Sequence, residues 1–217
     1  MIRMQGTSTS TGQIGFVFEE LVGKTLANLK EPMTRLGWNV TLQTEQEIRD
    51  RFGEQSLNGV DHMMEVDMGS SVAVFLLQEK WKILTNQREV SQFLDCCARI
   101  LTRIPVARRG TVHRLWVTRS QPSENGEKSL HEGGAHIVQC MTSQALLAQI
   151  TGQFICELLG HRELAVPMIA AMPSLLRTAP LDPVILDTSK HAALPGMTYK
   201  TQVKVQKGDY FLPEPDK

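Results

Sequence analysis

The segment NGVDHMMEVDMGSSVAVFLLQEKWK, residues 58–82, decides how we interpret the fold of this chain. It predicts two strands, residues 60–66 and 72–81, joined by a turn at residues 67–69. Because the second strand opens with six consecutive apolar residues, we expect it to be covered on both faces, at the centre of a sheet.

Four residues of this hairpin have the chemistry that a metal-dependent phosphodiesterase needs. Side chains alternate along a strand, so Gln78 and Lys80 project to one face and Glu79 to the other. Asp61, on the neighbouring strand, can lie beside Gln78 and Lys80. A divalent cation needs oxygen ligands, which the Asp61 carboxylate, the Gln78 side chain and the Glu79 backbone can supply. Lys80 can orient the attacking water or stabilise charge that builds on phosphorus.

Alternating helices and strands surround the hairpin. An apolar stripe predicts an opening helix from about Gly15, interrupted at Pro32. The other predicted strands lie at residues 38–42, 111–118 and 135–140. The other predicted helices lie at residues 44–52, capped by Thr44, and at 86–101 and 142–159, with a loop at 120–132. This order predicts an α/β domain with three α/β/α layers and a central mixed sheet.

These motifs resemble the PD-(D/E)xK nuclease superfamily, which has the restriction-endonuclease-like fold, and within it the Mrr-like type with a QxK catalytic strand. The matching residues are GVDH at 59–62 and QEK at 78–80. The opening helix, GFVFEELV at 15–22, is similar to the GxxFExxV segment of that family, whose glutamate corresponds to Glu19. The resemblance covers residues 14–160.

The resemblance implies a DNA endonuclease that depends on Mg²⁺ or Mn²⁺. It implies that Asp61 and Glu19 bind the metal, that Gln78 and Glu79 add ligand oxygens, and that Lys80 acts on water or on transition-state charge. It also implies DNA as the partner. Because cleavage of two strands needs two active sites, a homodimer is expected.

An alternative hypothesis follows from Gln78, which replaces the acid of the more common motif and leaves fewer negative charges for a metal. The chain would then be a nuclease-fold module with a degenerate site, which binds DNA or a protein partner without cleavage. The individual residues also have ordinary structural explanations. Asp61 can brace the turn at residues 58–59, Lys80 can extend to water, and Glu19 suits the first turns of a helix.

Total charge gives no argument for nucleic-acid binding, because 23 basic and 23 acidic residues leave a net charge of zero. The basic residues are locally clustered, however, and no acid lies between Asp95 and Glu124. The basic residues predicted to contact DNA are Lys82, Arg88, Arg108, Arg109 and Arg114. The best single candidate for a phosphate-binding loop is ARRG at residues 107–110; a solvated helix face and loop is the alternative explanation.

The composition, 41% hydrophobic and 21% charged, is that of a soluble globular protein. The four cysteines form no CxxC motif, which favours free thiols in a reducing compartment. No apolar segment suggests a signal peptide or a membrane span, so an intracellular protein, in the cytoplasm or in the nucleoid or nucleus, is expected rather than a secreted one. His62 faces away from Asp61 on its strand and is interpreted as a structural histidine.

Three segments are predicted along the chain. Residues 1–13 form a flexible leader, residues 14–160 the nuclease-like domain, and residues 161–217 a C-terminal extension or small appendage. The extension is proline-rich, since seven of the ten prolines follow residue 165. Alternation in residues 201–207 predicts an additional edge strand.

Overall fold

A computed structural model describes residues 11–53, 59–82, 85–105, 108, 110–141, 143–164, 185–186 and 202–206. Its helices are α1 (Thr11–Arg35), α2 (Glu45–Phe52), α3 (Gln87–Arg103), α4 (Glu124–Glu132) and α5 (Gln144–Leu158), followed by a 3₁₀ turn at Arg162–Leu164. Its strands are β1 (Asn39–Thr44), β2 (His62–Asp67), β3 (Val72–Lys80), β4 (Thr111–Thr118), β5 (Ala135–Cys140), β6 (Ile185–Leu186) and β7 (Gln202–Gln206).

The strands form one mixed sheet in the order β1-β2-β3-β4-β5-β7-β6. Strands β1, β2 and β3 are antiparallel, and β3, β4 and β5 are parallel. Strand β3 is buried from Ala73 to Glu79, which confirms the prediction that this apolar run is central. The alternating segment at residues 201–207 contains β7, which pairs with β5 and with β6.

Helices cover both faces of the sheet. The predicted apolar stripe of α1 is fully buried with α5 over one face, where Phe18, Val22 and Leu26 meet Phe75 and Leu77. On the other face, α3 buries Phe93 against Trp116, with ring centroids 5.5 Å apart. Full burial of one such side chain contributes about 1.5–3 kcal/mol. The α/β class and the mixed sheet are therefore confirmed, in an arrangement compatible with a three-layer core.

The opening helix differs from its prediction at both ends. It begins by Thr11, inside the predicted leader, and continues past Pro32 to Arg35. Pro32 cannot donate a hydrogen bond to the carbonyl of Asn28, but Asn28 is exposed and that carbonyl can bind water. Met33 is fully buried on the same apolar stripe. Packing of the last turn therefore outweighs the missing hydrogen bond.

The predicted loop at residues 120–132 is also wrong in part, because α4 occupies Glu124–Glu132. Its N-cap is Ser123, whose side chain accepts a hydrogen bond from the N–H of Gly126 at 3.2 Å. Leu130 is fully buried. The cap and this single buried anchor outweigh the turn-forming residues that suggested a loop.

Residues 165–184, 187–201 and 207–217 lie outside the described ranges, and so does most of the predicted extension. Of the helices in the described ranges, none combines the length and the apolar character that a membrane crossing requires.

Candidate functional site

The site lies at the end of the sheet where the parallel strands β3, β4 and β5 have their carboxyl ends. Ligands of open α/β sheets commonly bind at such ends. Asp61 precedes β2, and its N–H donates to the carbonyl of Leu77 at 2.8 Å, which places it beside the end of β3. Many of the buried polar residues collect here: Gln78, Glu79, Thr85, Thr118, Ser120 and Gln139. Backbone pairing thus concentrates polar groups at one end of an otherwise apolar sheet.

The carboxylate of Asp61 is the centre of this arrangement. Its Oδ2 accepts hydrogen bonds from the backbone N–H of Glu79 at 2.7 Å and from the side-chain amide of Gln78. The Nζ of Lys80 lies 3.9 Å from the same oxygen. The Asp61 side chain is 12% exposed and that of Lys80 is 23% exposed, so solvent reaches both. The structure therefore brings Asp61, Gln78 and Lys80 together, as the alternation of β3 predicted.

Glu19 of α1 joins the site from the other side. Burial raises the pKa of Glu19, and the negative charge of Asp61 raises it further, whereas Lys80 lowers it. Repulsion from a neighbouring carboxylate is expected to raise the pKa of a carboxyl group in this way. The predicted pair Asp61 and Glu19 is therefore close enough to interact, and a cation near both would relieve their repulsion.

The Glu79 side chain lies on the face opposite to Gln78 and Lys80, the face that alternation along β3 predicts. Both oxygens of its carboxylate lie 3.0 Å from Nδ1 of His62, and its side chain is completely buried. The Glu79 carboxylate thus pairs with His62 on the face of the sheet that α1 covers. The backbone N–H of Glu79 donates to the Asp61 carboxylate instead. His62 is structural, as predicted, and its ring packs closely against Gly23 of α1.

The pKa is raised at both groups of this buried pair. Burial raises the pKa of Glu79 to about 7. Burial by itself would lower the pKa of His62, but the Glu79 carboxylate outweighs this effect and raises it. Both shifts favour binding of a proton by the pair as a unit.

The donor set of the site suits Mg²⁺ or Mn²⁺ only in part. Asp61 and Glu19 provide two carboxylates, whereas the Gln78 amide presents its NH₂ group to Asp61 and the Glu79 side chain is occupied. In the described ranges, no three or more His, Cys, Asp and Glu side chains form a group that could hold a metal. Mg²⁺ commonly binds through one or two carboxylates, with water and substrate phosphate completing its shell. Asp61 and Glu19 fit that mode.

The basic residues predicted to contact DNA are divided between the two ends of the sheet. Lys82 and Arg88 lie at the site end, where Lys82 is paired with Glu89. Arg108 lies at the opposite end, where it lines a cleft together with Val72. Val72 and Lys80 are eight residues apart on β3, which is roughly 26 Å along a strand. Arg108, the arginine of the candidate phosphate loop that the structure describes, therefore does not reach the Asp61 site.

Arg114 adds nothing to the site. Arg114 is half-buried and donates to the carbonyl of Gly133 at 3.2 Å, so its guanidinium braces the turn before β5. Arg109 lies outside the described residues. Sequence analysis missed Arg119, which directly follows β4 at the site end. Its place in the arginine-rich interval was the available signal, but the interval alone does not show which end each arginine occupies.

Comparison with protein-family models, with curated proteins and with solved structures found no match for this chain. The nuclease superfamily therefore stays a prediction from the motifs.

Proposed function

We propose that this chain is a metal-dependent DNA endonuclease of the PD-(D/E)xK type, with the restriction-endonuclease-like fold. The single observation that carries the proposal is the convergence of Asp61, Gln78 and Lys80 at the carboxyl end of β3. Glu19 approaches from α1 and interacts with Asp61. A carboxylate pair beside a partly exposed lysine has the charges that phosphodiester hydrolysis requires.

The residues would divide the work of hydrolysis as follows. Water oxygen bonds to phosphorus while the bond from phosphorus to the leaving sugar oxygen breaks; the water loses a proton and the leaving oxygen gains one. Lys80 would position the water or stabilise the negative charge on the phosphate oxygens. Asp61 and Glu19 would hold Mg²⁺ or Mn²⁺, which when bound supplies positive charge to the phosphate. Gln78 would fix the orientation of the Asp61 carboxylate.

The experiment is a plasmid-nicking assay with Mg²⁺ or Mn²⁺ on wild type, Asp61→Asn and Lys80→Met. Each variant should lose about 10²–10³-fold in rate, the usual cost of removing one charge-stabilising group. Lys24→Met is the matched control, because Lys24 is an exposed lysine paired with Glu20 on α1. Circular dichroism verifies folding. Wild-type cleavage rates in both site variants would reject the proposal.

The alternative function, a module that binds DNA or a protein without cutting, is favoured by one specific observation. Oδ2 of Asp61 already accepts two hydrogen bonds and faces Lys80. The carboxylate is therefore neutralised within the protein, which weakens its attraction for a metal. Calorimetry with Mg²⁺ and Mn²⁺ distinguishes the two functions: no heat of metal binding, combined with salt-sensitive DNA binding, supports the module.

Two further proposals concern assembly and location. A homodimer would supply two sites for the two strands of a duplex, and sedimentation equilibrium measures the mass that tests it. The four cysteines are buried free thiols, which suits a reducing intracellular compartment.

A further inference from the structure

We propose that Arg119, stacked on Trp81, binds a DNA phosphate beside the Asp61 site; this inference rests on the nuclease function proposed above. Arg119 follows the last residue of β4, and its N–H donates to the carbonyl of Lys80 at 3.0 Å. Because β3 and β4 are parallel, Lys80 is aligned with Thr118, the residue before Arg119. The backbone of Arg119 is therefore fixed next to the lysine of the site.

The side chain of Arg119 is fixed as well. Its Cζ lies 5.3 Å from the centroid of the Trp81 ring, a cation–π contact. The Trp81 ring in turn lies 5.4 Å from the ring of Phe18, the residue before Glu19. A continuous chain of contacts thus runs from α1 through Phe18 and Trp81 to Arg119, and it borders the site on the side opposite to Gln78. A guanidinium held in this way loses little conformational freedom when it binds a phosphate.

Among the residues that the structure describes, none compensates the charge of Arg119. Among the described residues, its side-chain contact is the Trp81 ring, and no carboxylate lies within ion-pair distance. Other basic residues differ in this respect: Lys82 is paired with Glu89, and Arg49 with Glu45. A half-buried guanidinium without a counterion among the described residues, beside a lysine, attracts an anion that offers two oxygens to its N–H groups. The two non-bridging oxygens of a nucleic-acid backbone phosphate meet this requirement.

The choice of Arg119 over the predicted phosphate loop follows from distance. Arg108 lies at the amino end of β3, whereas Arg119 lies at its carboxyl end, next to Lys80. Successive phosphates of one DNA strand advance only about 3.4 Å along the helix axis, so a contact near Lys80 can hold a phosphate next to the one that is cleaved. A contact at the far end of the sheet is too distant to hold this neighbouring phosphate.

The test measures binding of a fluorescent DNA duplex by anisotropy in Ca²⁺ over a series of salt concentrations. Arg119→Met keeps the aliphatic stem on Trp81 and removes the charge, Arg119→Lys keeps a charge, and Arg35→Met removes an exposed arginine paired with Glu31 on α1. We expect Arg119→Met to weaken binding about tenfold and to reduce the slope of log affinity against log salt by about 1. Arg119→Lys and Arg35→Met should keep the wild-type slope.

The outcomes separate this inference from the proposed function. Wild-type binding and slope in Arg119→Met, with wild-type protein that cleaves DNA in Mg²⁺, would overturn the role of Arg119 and leave the nuclease intact. Equal reductions of the salt slope in Arg119→Met and Arg119→Lys would show that the charge at position 119 does not contact phosphate, and would also overturn it. A wild-type protein that neither binds nor cleaves DNA would overturn both proposals.

Discussion

Removing His62 should destabilise the fold strongly, because its partner Glu79 would be left in the interior without a counterion. The Glu79 side chain is 0% exposed and that of His62 is 9% exposed, with Nδ1 3.0 Å from each carboxylate oxygen. Removing one partner of a buried ion pair typically costs about 3–5 kcal/mol. His62→Leu is the appropriate change, since leucine fills a similar volume without offering a hydrogen bond.

A second route gives a similar magnitude. The isolated Glu79 carboxyl can avoid a buried charge by taking up a proton, and an ordinary glutamate has a pKa near 4.3. Keeping it protonated at pH 7.5 costs about 1.36 kcal/mol for each of about 3.2 pH units, which is about 4 kcal/mol. The wild-type carboxyl, whose pKa is raised to about 7, already bears part of this cost, so about 4 kcal/mol is the upper limit of the loss expected for His62→Leu.

Removing Glu79 should destabilise the fold less than removing His62. In Glu79→Leu the imidazole of His62 can be neutral at pH 7.5 at little cost, so a loss of about 1–2 kcal/mol from the unmade hydrogen bond is expected. In the double variant, His62→Leu with Glu79→Leu, no charge is buried, and stability should lie within about 1 kcal/mol of wild type.

Urea denaturation at pH 7.5, followed by tryptophan fluorescence, measures all four proteins of this cycle. The reasoning is refuted if His62→Leu loses less than about 1 kcal/mol, or if the double variant is the least stable of the four.

Other predictions concern positions away from this pair. Burial, and then the neighbouring His136, lower the pKa of His113 to about 4. Between about pH 6.5 and pH 4, the His113 imidazole is therefore protonated more readily in the unfolded chain than in the folded protein. Stability should therefore fall by about 1–2 kcal/mol as the pH decreases through this range, after allowance for solvent screening, and His113→Gln should flatten the pH dependence of the urea midpoint. Gly23→Ala should lower the thermal midpoint, because the added Cβ would lie 2.8 Å from Nε2 of His62. Alanine normally stabilises a helix interior by about 1 kcal/mol relative to glycine, so a raised midpoint would contradict the close packing of His62 against Gly23. Ser123→Ala should cost about 1 kcal/mol in urea unfolding through loss of the α4 cap, and Ser123→Asp, which restores an acceptor, should recover it.

Much of the local structure was predictable, because it depends on residues close together in the chain. The six apolar residues that open β3 required burial on both faces, and the stripe of α1 required one buried face. Thr44 was predicted to cap α2, and it forms a capping box with Glu47. The mixture of helices and strands could therefore be predicted from periodicity and caps. The sequence analysis missed α4, because a single buried leucine and one serine cap produce no clear helical period.

The site was predictable to the same extent. Alternation along β3 is a local property, so it was enough to place Gln78 and Lys80 on one face and Glu79 on the other. The position of Asp61 beside them followed from the tight turn that joins β2 and β3. The positions of Asp61, Gln78 and Lys80 could therefore be predicted without knowledge of the rest of the sheet.

The remaining features depend on register and direction, which non-local backbone hydrogen bonds decide. Alignment of His62 with Leu77 brings the imidazole to the Glu79 carboxylate and forms a buried pair that the sequence analysis did not predict. The chain returns along α3 to start β4 beside Ala73, which sends Arg108 to the far end and Arg119 to the site end. From the sequence alone, the two arginines belong to one basic interval. Only the parallel pairing of β3 and β4 separates them, because strand direction is set by pairing across the sheet and not by residues near in sequence.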